Sequence, residues 1–231
     1  MDGQRWIVNF DIGTGRRAAA TALAAAGLLF ALYPAVRPYS DETAASGAAA
    51  FASGAWVASH LFAMAGFILL VLGLLGLRAA LSGTPGNVTA DAALVVTWLG
   101  VGLTLPYYGA ETFALNALGV RAVEAGDPAV LGLADPIRFG AAQATMFAAG
   151  LAGLAAGAVL AAVAIRRSGV LPRWSGVPLA AGMVLFLPQF FGSPALRIAH
   201  GVLVAVGCIA VAVVLWRRST VVTSEPQSLR A

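Results

Sequence analysis

Thr104-Leu105-Pro106-Tyr107-Tyr108-Gly109-Ala110-Glu111-Thr112-Phe113 lies inside an apolar run that begins near Ala92. Glu111 is the single carboxylate that the hydropathy pattern places within a membrane-spanning segment. A carboxylate in hydrocarbon is costly, and one that is kept there marks a functional site with a partner to be found. Residues three and four apart share a helix face, so Thr104, Tyr107, Tyr108 and Glu111 converge if the run is helical. Pro106 predicts a kink in that helix, and Gly109 permits close approach of a neighbour.

The rest of the chain sets this run in a membrane. Of 231 residues, 60% are hydrophobic and 10% are charged, and the mean hydropathy is +0.86. A soluble domain carries about a quarter charged residues, so the composition describes an all-α polytopic membrane protein. Six apolar runs, 18–36, 55–77, 92–118, 139–165, 174–192 and 196–216, approach or exceed the ~20 residues that span a bilayer core. The expectation is a six-transmembrane-helix bundle over 17–218, with 1–16 as a cytoplasmic segment and 219–231 as a disordered, Ser/Thr-rich cytoplasmic tail. Trp6, Ile7 and Phe10 suit a membrane surface. The apolar run behind Arg16-Arg17 continues to Val36 with no soluble domain after it, which favours a spanning helix over a leader peptide.

The arginines orient the bundle. With the N-terminus inside, ten of the fourteen basic residues, all Arg, fall on the cytoplasmic side, and Arg37, Arg121, Arg138 and Arg197 fall outside. The positive-inside rule then puts both termini in the cytoplasm. An all-Arg basic set with 27 glycines points to a bacterial chain, and hence to the inner (plasma) membrane. The net charge of +4 sits at helix ends, so no nucleic-acid partner is expected. The single Cys208 excludes an intramolecular disulfide and a cysteine-based metal cluster.

A repeat of three helical hairpins is also expected. Odd-numbered helices end on Tyr33-Pro34, Pro106-Tyr107-Tyr108-Gly109 and Pro188-Gln189-Phe190-Phe191-Gly192, and even-numbered ones open near His60, Gln143 and His200. On the fourth helix Gly150, Gly153 and Gly157 have the spacing of a packing face.

At 1.5 Å rise per residue, His60, Tyr107, Tyr108, Glu111, Gln143, Gln189 and His200 all fall in one layer of the outer leaflet. The expectation is an outward-facing pocket in which Glu111, His60, His200, Tyr107 and Tyr108 are catalytic. Gln143, Gln189, Phe190, Phe191 and Arg197 would bind the ligand. A carboxylic acid beside aromatic rings can protonate an alkene or epoxide, the rings stabilise a cation, and a histidine takes the proton back. That chemistry describes an enzyme acting on a lipophilic, isoprenoid-like small molecule by general acid–base catalysis. One alternative is a redox protein: His60 and His200 as axial ligands of haem b, with Arg138 and Arg197 on its propionates, or both histidines with Glu111 around a metal ion. The other is a small-solute transporter or accessory subunit, forming a homo-oligomer or joining a partner membrane subunit. The inner half of the membrane, almost free of polar side chains, offers a transporter no pathway.

Overall fold

The computed structural model describes residues 12–221, and among them every regular element is helical. α1 spans Ile12–Val36, with Pro34 in its last turn. α2 (Ala45–Ala52) leads into α3 (Gly54–Ala80), whose N-cap Ser53 accepts a hydrogen bond from the Trp56 backbone N–H at 3.1 Å. α4 (Asn87–Gly109), a π-helical turn (Ala110–Ala114) and α5 (Leu115–Ala125) form one long rod that stops at Gly126, where φ is +63°. A 3-10 turn (Pro128–Leu133) and α6 (Ala134–Phe139) precede α7 (Ala141–Ser168). The chain closes with α8 (Val177–Val184), a 3-10 turn (Pro188–Phe191) and α9 (Pro194–Val221).

Five of these helices are long and apolar enough to cross a membrane: Gly15–Val36, Gly54–Ala80, Asn87–Ala125, Ala141–Ser168 and Pro194–Arg218. This fits a multi-pass helical membrane protein. The run 174–192, expected as a further spanning helix, is broken instead. Pro188 lacks the N–H and clashes with the preceding turn, so the α-helix stops at Val184. This segment still runs from one end of the bundle to the other. Trp174 lies under the Arg166 guanidinium at the end of α7, 5.5 Å away, whereas Phe190 and Phe191 reach the cavity at the opposite end.

α1 packs against both α3 and α9, and α4 against α7. The main core runs along these contacts through Leu23, Phe30, Phe67, Leu154 and Val204. Large apolar side chains such as Ile68, Leu72 and Leu75 point outward, as lipid-facing residues do.

Segments 37–54 and 119–138, expected as connections, are folded. α2, α5, the first 3-10 turn and α6 bury Phe51, Trp56, Leu115 and Leu131 in a second apolar cluster at one end of the bundle. This cap carries half of the site. At the other end α9 continues to Val221. Trp6, Ile7, Phe10 and the remainder of the tail lie outside the described residues.

Candidate functional site

The site forms where the cap meets the bundle. Glu111 sits in the π-helical turn, a distortion of α-helices that recurs at functional sites. Its backbone carbonyl accepts the Trp56 indole N–H at 2.6 Å, which fixes the turn to the start of α3. Its carboxylate meets Arg138, on α6, in a two-pronged contact: Nε donates to Oε1 at 2.6 Å and Nη2 to Oε2 at 2.9 Å. Both residues are buried. Arg138 Nη1 donates to Glu42 Oε2 at 2.5 Å, and Arg37 Nη2 donates to Glu42 Oε1 at 2.8 Å. Arg37, Glu42, Arg138 and Glu111 thus form a ladder of alternating charge drawn from three separate parts of the chain.

The ladder sets the ionisation of its members in the cap. Burial pushes the Glu42 carboxyl up, but the Arg138 and Arg37 guanidiniums outweigh it and hold the group below the usual glutamate range. Burial also disfavours charge on Arg138, and its bonds to Glu111 and Glu42 more than compensate, so it stays charged. Burial raises the Tyr39 phenol, partly opposed by Arg37 and Arg197.

His60 extends the ladder. Its Nδ1–H donates to the Trp56 carbonyl at 2.8 Å, which assigns the proton to that nitrogen. In the neutral ring this leaves Nε2 without a proton, 3.8 Å from Glu111 Oε2. The ring is boxed by Trp56, Tyr33 and Tyr108, with centroids at 4.4, 5.5 and 6.2 Å.

These groups form one wall of a cavity of about 810 Å³. The opposite wall is aromatic: Tyr107 stacks on Phe147 with centroids 3.9 Å apart, and Phe147 touches Phe190 at 5.8 Å. The volume suits a small organic ligand, and an apolar lining with a few convergent polar groups is the usual form of such sites.

Of the residues chosen from sequence, Glu111, His60, Tyr107, Tyr108, Phe190, Phe191 and Arg197 line this cavity. Gln143, Gln189 and His200 do not. Gln143 is exposed, and its amide donates to the Pro136 carbonyl at 3.4 Å. Gln189 and His200 line a separate, small cleft, where His200 Nε2–H donates to the Gly182 carbonyl at 2.8 Å. Depth along a helix axis places a residue in a layer but not on a face, which is why three members of that layer miss the pocket.

The haem alternative does not fit. The His200 Nε2 is committed to a backbone carbonyl, and a chain of ring contacts through Tyr108, Phe67 and Phe186 connects the two histidines rather than leaving them face to face. Among the described residues no three His, Cys, Asp or Glu side chains gather as a metal site.

Glu42, Arg37, Tyr33 and Tyr39 were not among the residues expected in the pocket, and Arg138 entered it only as a propionate partner. An intramembrane carboxylate demands a cation; the sequence offers four arginines on the outer side, and only tertiary structure picks Arg138 from them. No protein-family model, curated protein or solved structure matches the chain.

Proposed function

We propose that this is a bacterial plasma-membrane enzyme with an outer-leaflet pocket, which moves a proton on a lipophilic small molecule. The observation that carries it is the His60–Glu111 pair. At 3.8 Å, Nε2 and Oε2 are too far apart to bond each other but are spaced to share one donor hydrogen of a bound molecule. His60 is the base at Nε2, and the Nδ1–H bond to Trp56 holds its tautomer. Glu111, gripped by Arg138, stabilises the imidazolium that forms. This differs from the acid role expected of Glu111, because a carboxylate accepting both prongs of a guanidinium is the charged form of that group. Tyr107, stacked on Phe147, and Phe190 hold the apolar part of the ligand. Exposed Phe139 and Phe191 at the rim support entry from the lipid.

In this reading the arginine-rich ends are cytoplasmic and the site faces out. Segment 174–192 supplies a sixth crossing, since it connects opposite ends of the bundle although its helix is broken. The consecutive hairpins α1–α3, α4–α7 and α8–α9 all pack closely, which supports the threefold repeat. Tyr33, Tyr107 and Leu187, each next to one of Pro34, Pro106 and Pro188, all line the same cavity.

The test is mass spectrometry and chromatography of organic extracts from purified wild-type protein and His60→Asn. The expected result is one lipophile bound to the variant and a chemically altered form bound to, or released by, the wild type. Identical species in both samples would remove the catalytic role.

A further inference from the structure

We propose that the pocket's ligand is an amphiphile with a singly negative head group, and that Arg197 binds that charge. This rests on the lipophilic-pocket reading above, but not on the proton transfer assigned to His60.

The argument starts from a charge count. The lining holds three arginines, Arg37, Arg138 and Arg197, against two carboxylates, Glu42 and Glu111. Arg37, Glu42, Arg138 and Glu111 neutralise one another along the ladder. Arg197 is left over. Its Nε donates to the Gly192 carbonyl at 3.2 Å and its Nη2 to the Phe190 carbonyl, and no carboxylate of the described residues pairs with it. Those carbonyls position the guanidinium without neutralising it. It also lies over the Tyr39 ring, 5.8 Å from the centroid, and Arg37 lies 5.3 Å from that centroid, so the excess charge sits next to the ladder.

A half-buried cation beside an apolar cavity favours an anion as its partner, since charge taken from water without a counter-charge is costly. One unit in excess calls for one negative charge. A second, independent feature asks for an acceptor. The Tyr108 side chain is buried (2% exposed) and lines the cavity, and its hydroxyl, beside that of Tyr33, has no partner at hydrogen-bond geometry among the described residues. A carboxylate or phosphodiester oxygen offers both the charge and the lone pairs. The aromatic wall of Tyr107, Phe147 and Phe190, opening at exposed Phe191, requires that this head group carry a hydrocarbon tail.

The experiment measures equilibrium binding of radiolabelled oleate and oleyl alcohol to the detergent-purified full chain near pH 8. These probes share a tail and differ in head-group charge. Wild-type protein should bind oleate at least about tenfold more tightly. Arg197→Gln should lose that preference while holding oleyl alcohol within about twofold, and Arg197→Lys should keep much of it. Equal binding of both probes by the wild type would overturn the charge proposal and leave the lipophilic pocket standing. This comparison needs no variant to fold. Binding of neither probe would overturn both readings. A preference for oleate that survives in folded Arg197→Gln would show that Arg197 is not the site. Acetate and inorganic phosphate, as head groups alone, should fail to displace oleate; displacement would assign the site to a free anion.

Discussion

Arg138 holds Glu111 by two parallel hydrogen bonds, 2.6 and 2.9 Å long, across 27 residues of chain. This explains how a carboxylate survives in a hydrophobic helix. Both groups are buried, and each satisfies the other in the planar, two-pronged geometry that only guanidinium offers. The third nitrogen of Arg138 reaches Glu42, 96 residues away, so one side chain joins α6, the π-helical turn and the loop after α1. The cap is therefore fastened to the bundle through the site itself, and the stability of one depends on the other.

Breaking that pair from one side should cost more than removing it whole. Arg138→Met leaves the buried Glu111 carboxylate without a cation and Glu42 with Arg37 alone, and is expected to destabilise by about 3–5 kcal/mol. Glu111→Gln is milder, at about 1–3 kcal/mol, because its amide nitrogen turns one acceptor into a donor aimed at another donor. The double replacement Glu111→Met/Arg138→Met should cost clearly less than the sum of the single changes. Unfolding in mixed detergent micelles measures all of these, and additive losses would contradict the coupling.

Glu42 makes the fold sensitive to acid. Its carboxyl is held below the usual range by Arg138 and Arg37 against the upward push of burial. A depressed folded-state pKa contributes stability that is complete above the unfolded value, about 4.3, and is lost as pH falls through the folded value. The melting temperature should therefore be flat with respect to Glu42 from neutrality to about pH 5 and decline below it. Glu42→Gln should melt lower at neutral pH and show a shallower acid decline. Parallel pH profiles for the two proteins would remove Glu42 from this role.

The helices were legible because a membrane imposes a length and a composition, and both are local properties of the chain. Glu111 was legible for the same reason, as a charge where none belongs. Arg138 was not singled out as its partner: its separations of 27 residues from Glu111 and 96 from Glu42 leave no periodic trace. The broken run 174–192 shows another limit. Its composition is that of a spanning segment, and Pro178 and Pro188 were visible, but hydropathy does not weigh a lost N–H against burial. His200 resembles His60 in depth and neighbours, yet a rotation about its helix sends it to the Gly182 carbonyl.

Topology follows from the arginines and from the path of the broken segment. Reporter fusions after Ser82 and after Ser219 should read as cytoplasmic, and insertions within 124–130 as external. An external reading after Ser219 together with a cytoplasmic one after Ser82 would mean that 174–192 does not carry the chain across.

The contact between α4 and α7 supports the site's floor, and two neighbouring glycines on α4 test it against each other. A Cβ on Gly100 would stand 2.7 Å from the Leu154 backbone nitrogen and 2.9 Å from the Gly150 carbonyl oxygen. Backbone atoms cannot move aside as a flexible side chain does, so even Gly100→Ala must push the helices apart. Gly102, two positions on, has nothing within 4 Å of its would-be Cβ and faces outward. Helices in lipid associate through such close approach, since apolar burial drives little there. Gly100→Ala should destabilise by about 1–3 kcal/mol, the usual cost of overpacking, and Gly100→Leu by more. Gly102→Ala and Gly102→Leu should be neutral or slightly stabilising, because an exposed helical glycine is itself unfavourable by about 1 kcal/mol relative to alanine. Tyr107 on α4 stacks against Phe147 on α7, so the Gly100 variants should also weaken ligand binding in the cavity while the Gly102 variants leave it alone. Equal effects at the two positions would mean that α4 and α7 are not held at this distance.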